Sequence, residues 1–305
     1  MARYPSTVMV SVVCPWNEAE QLDEAMFRRE IRHAVDAGFR HIYVFGTAGE
    51  GYAVDTARFR RVIEVFGDEL AATDAAPMVG VIGLSTANVL ERVGVAYAMG
   101  FREFQISLPS WSPLGDAEVL TYLDGVCGAF PDARFMHYNT ARSGRLVDGA
   151  LYREIVPLVP NLVATKTMTT DTGVVSGVVR EAPELMHFLT EQSIAWGALH
   201  GEVALLGTFG ALAPGRSWAL LEAAHAGRHR EAAAIGAWFA RLSEVVLGPF
   251  MADRRVDGAY DKLIEKLCPG LEDFPLRMLS PYRTISDEEA AEAARLLRQH
   301  FPDCG

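Results

Sequence analysis

The chain alternates two kinds of segment. Short, almost wholly apolar runs rich in β-branched and aromatic residues are separated by longer stretches whose apolar residues recur at helical spacing. The short runs are Val8–Cys14, His41–Phe45, Met78–Ile82, Glu103–Leu108, Arg134–Tyr138, Leu162–Thr165, Leu185–Leu189 and Ala204–Thr208. A strand that is apolar on both sides is one buried on both faces, as in a parallel sheet covered by helices. The periodic stretches predict those helices over Asp23–Ala37, Thr56–Phe66, Thr86–Met99, Asp116–Ala129, Asp148–Val156 and Thr172–Arg180. Thr86, Asp116 and Asp148 stand where a capping side chain is wanted, and Gly38, Gly67 and Gly100 stand where a helix ends.

Strands joined by helical crossovers, eight of them, predict an α/β chain closed into a (β/α)8 TIM barrel. A doubly wound open sheet is the competing architecture. It usually stops at about five to seven strands, and no GxGxxG follows the first run here. From about residue 216 the pattern is helical throughout, with Ser217–Ala226, Arg230–Leu247, Ala259–Leu267 and Asp287–His300. No polar or Pro/Gly-rich linker divides the chain. Residues 1–215 are therefore assigned to the barrel, and residues 216–305 to C-terminal helices packed on it within the same domain.

Composition adds limits. Hydrophobic residues make up 50% and charged residues 22%, so a chain of 305 residues can bury a large core. A formal net charge of −11 argues against nucleic acid or an anionic membrane as partner, but a few basic side chains could still hold a small anion. Cys14, Cys127, Cys268 and Cys304 form no CxxC pair, which points away from a disulfide framework and toward a reducing, cytoplasmic setting. The early apolar run Val8–Cys14 is too short for the core of a secretory signal, and nothing nears the roughly 18 apolar residues of a membrane span. His225 and His229 are spaced i, i+4, yet no third ligand is evident, and no metal is expected.

In a barrel, chemistry gathers where strands end at the C-terminal face. The second run enters Gly46-Thr47-Ala48-Gly49-Glu50-Gly51, the fifth closes on Tyr138-Asn139, and Lys166 follows the sixth. A lysine placed after Leu162, Val163 and Ala164 is costly to keep charged, and burial supplies the neutral amine that attacks a carbonyl. The same lysine could instead snorkel to water or pair with a carboxylate such as Glu191. Tyr138 could shuttle protons or simply be a half-buried phenol. Thr47 could orient Tyr138 or bind a carboxylate with neighbouring amides, unless the glycines only shape a turn. Asn139, Gln192 and Ser193 follow strand ends and could line a pocket.

Taken together these segments resemble the dihydrodipicolinate synthase and N-acetylneuraminate lyase family of class I aldolases. The resemblance rests on the GTTGE-like Gly46–Glu50, the YNxP-like Tyr138-Asn139-Thr140-Ala141, and the lysine closing the sixth strand. It implies that Lys166 forms an imine with pyruvate or a similar 2-oxo acid and that Tyr138 moves protons. Thr47 would align Tyr138, and the Gly46–Ala48 loop would hold the substrate carboxylate. It also implies an aldehyde partner, a homodimer or homotetramer, and no organic cofactor.

There are departures. Ala48 removes the second hydroxyl of the motif, and Lys166 lies between two threonines. Trp111, in Leu108-Pro109-Ser110-Trp111-Ser112-Pro113, stands where the synthases carry the tyrosine of a proton relay, and an indole cannot relay a proton as a phenol does. A Pro-x-Trp here is similar to the hydratase-aldolases, where the ring would stack on an aromatic aldehyde or merely wall the site. Arg142 would bind a second carboxylate if it reaches the mouth; solvent exposure is the other reading. The expected function is a pyruvate-dependent class I aldolase. Dehydration or deamination of a 2-oxo acid through the same imine, and a non-catalytic 2-oxo-acid-binding barrel, are the alternatives.

Overall fold

The computed structural model describes residues Met1–Cys304. Eight strands close into one parallel barrel in sequence order: β1 Val8–Ser11, β2 His41–Val44, β3 Ala76–Val81, β4 Glu103–Ile106, β5 Arg134–Asn139, β6 Leu162–Thr167, β7 Met186–Leu189 and β8 Ala204–Leu206. Helices α1 Glu24–Asp36, α2 Thr56–Leu70, α3 Thr86–Ala98, α4 Asp116–Gly128, α5 Gly149–Ile155, α6 Thr172–Glu181, α7 Ile194–Gly197 and α8 Pro214–His225 join and cover them. The TIM-barrel reading of the apolar pattern is thus what the chain folds into.

Alternation along each strand sorts the core into two parts. Met9, Tyr43, Met78, Met136, Ala164, Met186, Phe188 and Leu206 pack together inside the barrel, above Tyr4 at its base. The intervening residues, such as Ile42, Val44 and Phe135, face the helices. Register then carries the inward rows to the C-terminal mouth: Met136 lies beside Ala164, and two residues later Tyr138 lies beside Lys166, which lies beside Phe188. Strand parity alone therefore aims Tyr43, Tyr138 and Lys166 into the barrel.

Several boundaries shift for local reasons. β6 runs two residues beyond the Leu162–Thr165 run because Lys166 and Thr167 stay paired with Tyr138 and Asn139 of β5 and with Phe188 and Leu189 of β7, while the outward Thr165 hydroxyl lies 2.8 Å from His187 Nδ1. Asp148 caps α5 by accepting from Leu151 N at 2.9 Å. Thr86 and Asp116, by contrast, are the first helical residues, not the caps: Ser85 caps α3, and Gly115 N donates to Glu118 at the start of α4. The four-residue α7 has too few positions to show a period and was not foreseen.

α8 packs on β1 and β8 as the eighth helix of the barrel. After it come α9 His229–Leu242, a π-helical turn Ser243–Leu247, α10 Gly248–Ala252, α11 Asp257–Lys266 and α12 Asp287–His300. A buried ion pair, Lys262 Nζ to Glu50 Oε1 at 2.9 Å, ties α11 to the loop after β2. Glu50 also accepts from Trp16 Nε1 at 2.7 Å and from Leu279 N at 2.8 Å. One carboxylate thus joins the first strand's exit, the second loop and the C-terminal segment over the mouth. Among the described residues no helix is long and apolar enough to cross a membrane.

Candidate active site

Lys166 is 3% exposed, and its Nζ donates to the Tyr43 hydroxyl at 2.7 Å. The ammonium position lies 4.0 Å from the centre of the Tyr138 ring. Burial lowers the Lys166 pKa to about 7, against the pull of Asp261 and Asp257, which favour its charged form. The pairing with Glu191 weighed from the sequence is not made: Glu191 accepts from the amides of Thr208 and Phe209 at 2.6 and 3.2 Å. Lys166 faces a chamber of about 200 Å³, and Tyr43, Thr47, Ala48, Thr190 and Asp261 are among its walls.

Tyr138 and Thr47 are also brought together, their hydroxyls 3.3 Å apart. Burial, with Asp257 adding to it, raises the Tyr138 pKa and so keeps it a phenol, although the Thr47 contact works the other way. The loop holding Thr47 is shaped by an unusual residue. Phe45 has φ of +66°, a left-handed conformation that costs a non-glycine residue about 1–3 kcal/mol and persists only where surroundings fix it. Gly46 follows it because a Cβ there would come within 2.6 Å of the Tyr43 ring. The backbone N–H groups of Thr47 and Ala48 have no acceptor among the described residues. They are available to an anion.

A second chamber, also about 200 Å³, lies beyond Thr47 and Tyr138 and is lined by Tyr52, Ser107, Thr140 and Arg142. Arg142 is held to Asp257 of α11 by an ion pair of 2.9 Å, and Asp257 lines the first chamber. Its guanidinium is therefore engaged by a carboxylate of this chain. Trp111 is 88% exposed and lines neither chamber. Asn139 is buried, and both ends of its amide are used by Val147, to whose O it donates and from whose N it accepts at 2.8 Å. It pins the turn after β5. His225 is bound to Ser6 and Val203 O, and no group of His, Cys, Asp or Glu among the described residues is placed to hold a metal.

Reading along the chain missed Tyr43 and the acidic face of α11. Tyr43 could have been found from its inward parity, three residues before the Gly46 turn. Asp257 and Asp261 are spaced i, i+4 on an otherwise amphipathic helix, but only the return of the C-terminal helices over the mouth brings them to Lys166.

The closed eight-stranded parallel barrel defines the class of (β/α)8 proteins, and within that class the sequence points to one family. The sequence pattern of the dihydrodipicolinate synthetase family matches residues 4–299, and the chain belongs to that family. N-acetylneuraminate lyase of Salmonella typhimurium is 24% identical over 188 residues, a stretch covering 61% of this chain and 62% of that protein. The chain thus matches less than two thirds of that relative's length. Among solved structures, the Escherichia coli K12 prophage protein YagE, of the dihydrodipicolinic acid synthase family and in complex with pyruvate, has a TM-score of 0.84 at 17% identity, covering 96% of this chain and 98% of its own. Proteus mirabilis N-acetylneuraminate lyase has a TM-score of 0.83 at 19% identity, covering 97% and 98%. At such identities the structural likeness concerns the fold.

Proposed function

We propose that the protein is a class I pyruvate-dependent aldolase, a carbon–carbon lyase that works through an imine on Lys166. The observation that carries this reading is a buried lysine that faces a chamber of about 200 Å³ between two phenols, with burial lowering its pKa to about 7. A neutral amine is the nucleophile that carbonyl addition needs, and an ordinary exposed lysine supplies little of it at neutral pH.

In this reading the pyruvate carboxylate takes the free Thr47 and Ala48 amides, where Ala48 offers no hydroxyl. Nζ of Lys166 adds to C2; the carbonyl oxygen takes one proton from Tyr138 and one from Nζ and leaves as water to give the iminium. Loss of a C3 proton to Tyr138 forms the enamine. C3 then attacks the aldehyde carbon, the new alkoxide is protonated by Tyr138, and water hydrolyses the iminium to free the product and Lys166. Cleavage is the same sequence reversed. The iminium serves as the electron sink for C3, so no metal or organic cofactor enters the steps. A cytoplasmic homodimer or homotetramer belongs to the same reading. Trp111 and Leu84, exposed at 88% and 60% on loops after β4 and β3, are apolar groups that such assembly would cover.

Borohydride reduction in the presence of pyruvate tests the reading. A mass increase of one reduced pyruvate on the Lys166 peptide, absent in Lys166→Ala, is the expected outcome. If neither pyruvate nor a panel of 2-oxo acids leaves an adduct, the aldolase reading is wrong and a non-catalytic barrel takes its place. Release or uptake of an aldehyde then separates an aldolase from a dehydratase or deaminase.

A further inference from the structure

The chamber around Lys166 holds more acid than one lysine balances. Asp257 and Asp261 of α11 and Glu191 after β7 all line it. Two of these carboxylates are already committed, Glu191 to the Thr208 and Phe209 amides and Asp257 to Arg142. Asp261 has neither a hydrogen bond nor an ion pair among the described residues. The charged groups around it are Asp257, Lys166, Glu265 and Arg142. Burial and the charge of Asp257 make its ionised form costly, and Lys166 is the strongest influence in the other direction.

That balance changes during turnover, on the reading that Lys166 forms the imine. The iminium is then matched by pyruvate's own carboxylate, and Asp261 is left facing the space where the second substrate must sit. We propose that Asp261 is the specificity-determining carboxylate of this chamber and selects an aldehyde whose chain carries a protonated amine over one that carries a carboxylate. An ammonium there pairs with Asp261 and favours its ionised form, which burial and Asp257 otherwise make costly. An anionic aldehyde brings no cation to pair with Asp261 and meets the acidic wall of Asp257 and Asp261, while the nearest guanidinium, Arg142, is held by Asp257. Thr190, Gln192 and Ser243 supply uncharged hydrogen-bonding groups for the rest of such a chain.

The test uses the full chain with pyruvate and three aldehydes of comparable size: 3-aminopropanal, 3-hydroxypropanal and succinic semialdehyde. Pyruvate consumption gives kcat/KM for each, and borohydride trapping with pyruvate alone is run beside it. The expected order is amine, then hydroxyl, then carboxylate. In Asp261→Asn the preference for the amine over the hydroxyl falls by about tenfold, while trapping at Lys166 persists. The proposal is overturned if the wild-type protein prefers succinic semialdehyde, or if Asp261→Asn traps pyruvate normally and keeps the original ratio. The wild-type order decides the matter even if the variant folds poorly. Absence of trapping in the wild type would overturn the aldolase reading itself, and this inference with it.

Discussion

Two lysines are buried beneath the C-terminal face of this barrel, and they are put to opposite uses. Lys262 is fully enclosed and held as an ion pair by Glu50, with a further bond to Cys14 O and the Trp16 ring close by. Lys166 is just as enclosed, but its direct partner is a neutral phenol, Tyr43. Its two acidic neighbours line the same chamber without forming an ion pair with it. Burial alone therefore does not make a lysine reactive. What separates the two is whether a carboxylate meets the nitrogen at contact distance: Glu50 does so for Lys262, whereas Lys166 meets only a hydroxyl, and burial lowers its pKa. Lys262 fastens the loop that carries Thr47, and Lys166 is left facing the chamber that loop helps to line.

On the proposed imine mechanism, the largest effect is expected from removing the Lys166 amine. Lys166→Ala should lower kcat by about 10⁴-fold or more and abolish the borohydride adduct, since no other group can take the covalent role. Its fold should survive, because the substitution leaves no carboxylate without its direct partner; circular dichroism and the urea midpoint would check this. Loss of the adduct together with global unfolding would contradict the division of labour drawn here.

Lys262→Met should do the reverse. It strands Glu50 in the interior, and breaking a buried pair from one side costs about 3–5 kcal/mol. Urea denaturation reads this as a lower midpoint, and adding Glu50→Gln should restore part of the loss because the stranded charge is then gone. A Lys262→Met protein as stable as wild type would mean that the Trp16 and Leu279 donors suffice for Glu50.

Why one of these lysines could be picked out along the chain and the other could not has a physical answer. Lys166 ends a run that is apolar on both faces, so its burial follows from local pattern. Lys262 sits in an amphipathic helix, and its partner lies more than two hundred residues earlier. The same contrast runs through the fold. The strands were legible because barrel strands are apolar on both sides, while the end of β6 was hidden by outward threonines whose hydroxyls are satisfied by neighbours. In the site, Lys166, Tyr138 and Thr47 could be placed because strand ends at one face of a barrel converge. Asn139 looked equally well placed but is occupied by Val147, and Asp261 depends on where a distant helix returns.

The lowered pKa of Lys166 has a pH signature in both rate and stability. Imine formation should speed up as pH rises through about 7, as the amine loses its proton. In the unfolded chain the same lysine keeps its proton to about 10.4. Between these values the unfolded state binds the extra proton, so the stability contribution of this residue increases with pH across that window. Below about pH 7 the native chain must hold a buried ammonium, and there Lys166→Met should gain most relative to wild type. Urea midpoints of the two proteins from pH 6 to pH 10 should converge, the wild type rising toward the variant. A constant difference would mean that the buried amine does not titrate in this range.

Tyr43 and Thr47 sharpen the comparison at the smallest scale. Tyr43→Phe removes the hydroxyl that accepts from Nζ, and this bond favours the charged amine, so the pH at which imine formation turns on should move down. A single hydrogen bond to a charged group contributes about 1.5–3 kcal/mol at most, and refilling by water would reduce the shift to about one pH unit or less. Thr47→Val acts on the other phenol. It removes a neutral bond, long at 3.3 Å, that orients Tyr138 without touching Lys166. Such a bond is worth about 1 kcal/mol, so kcat should fall by about tenfold or less. Because the Thr47 and Ala48 amides belong to the backbone and remain, the KM for pyruvate should change little. The midpoint of the pH profile for imine formation should also stay where it is, since the partner of the amine is Tyr43. A shift in that midpoint in Thr47→Val equal to the one in Tyr43→Phe would show the two tyrosines acting as one network, and the separation between activating the amine and moving the proton would then fail.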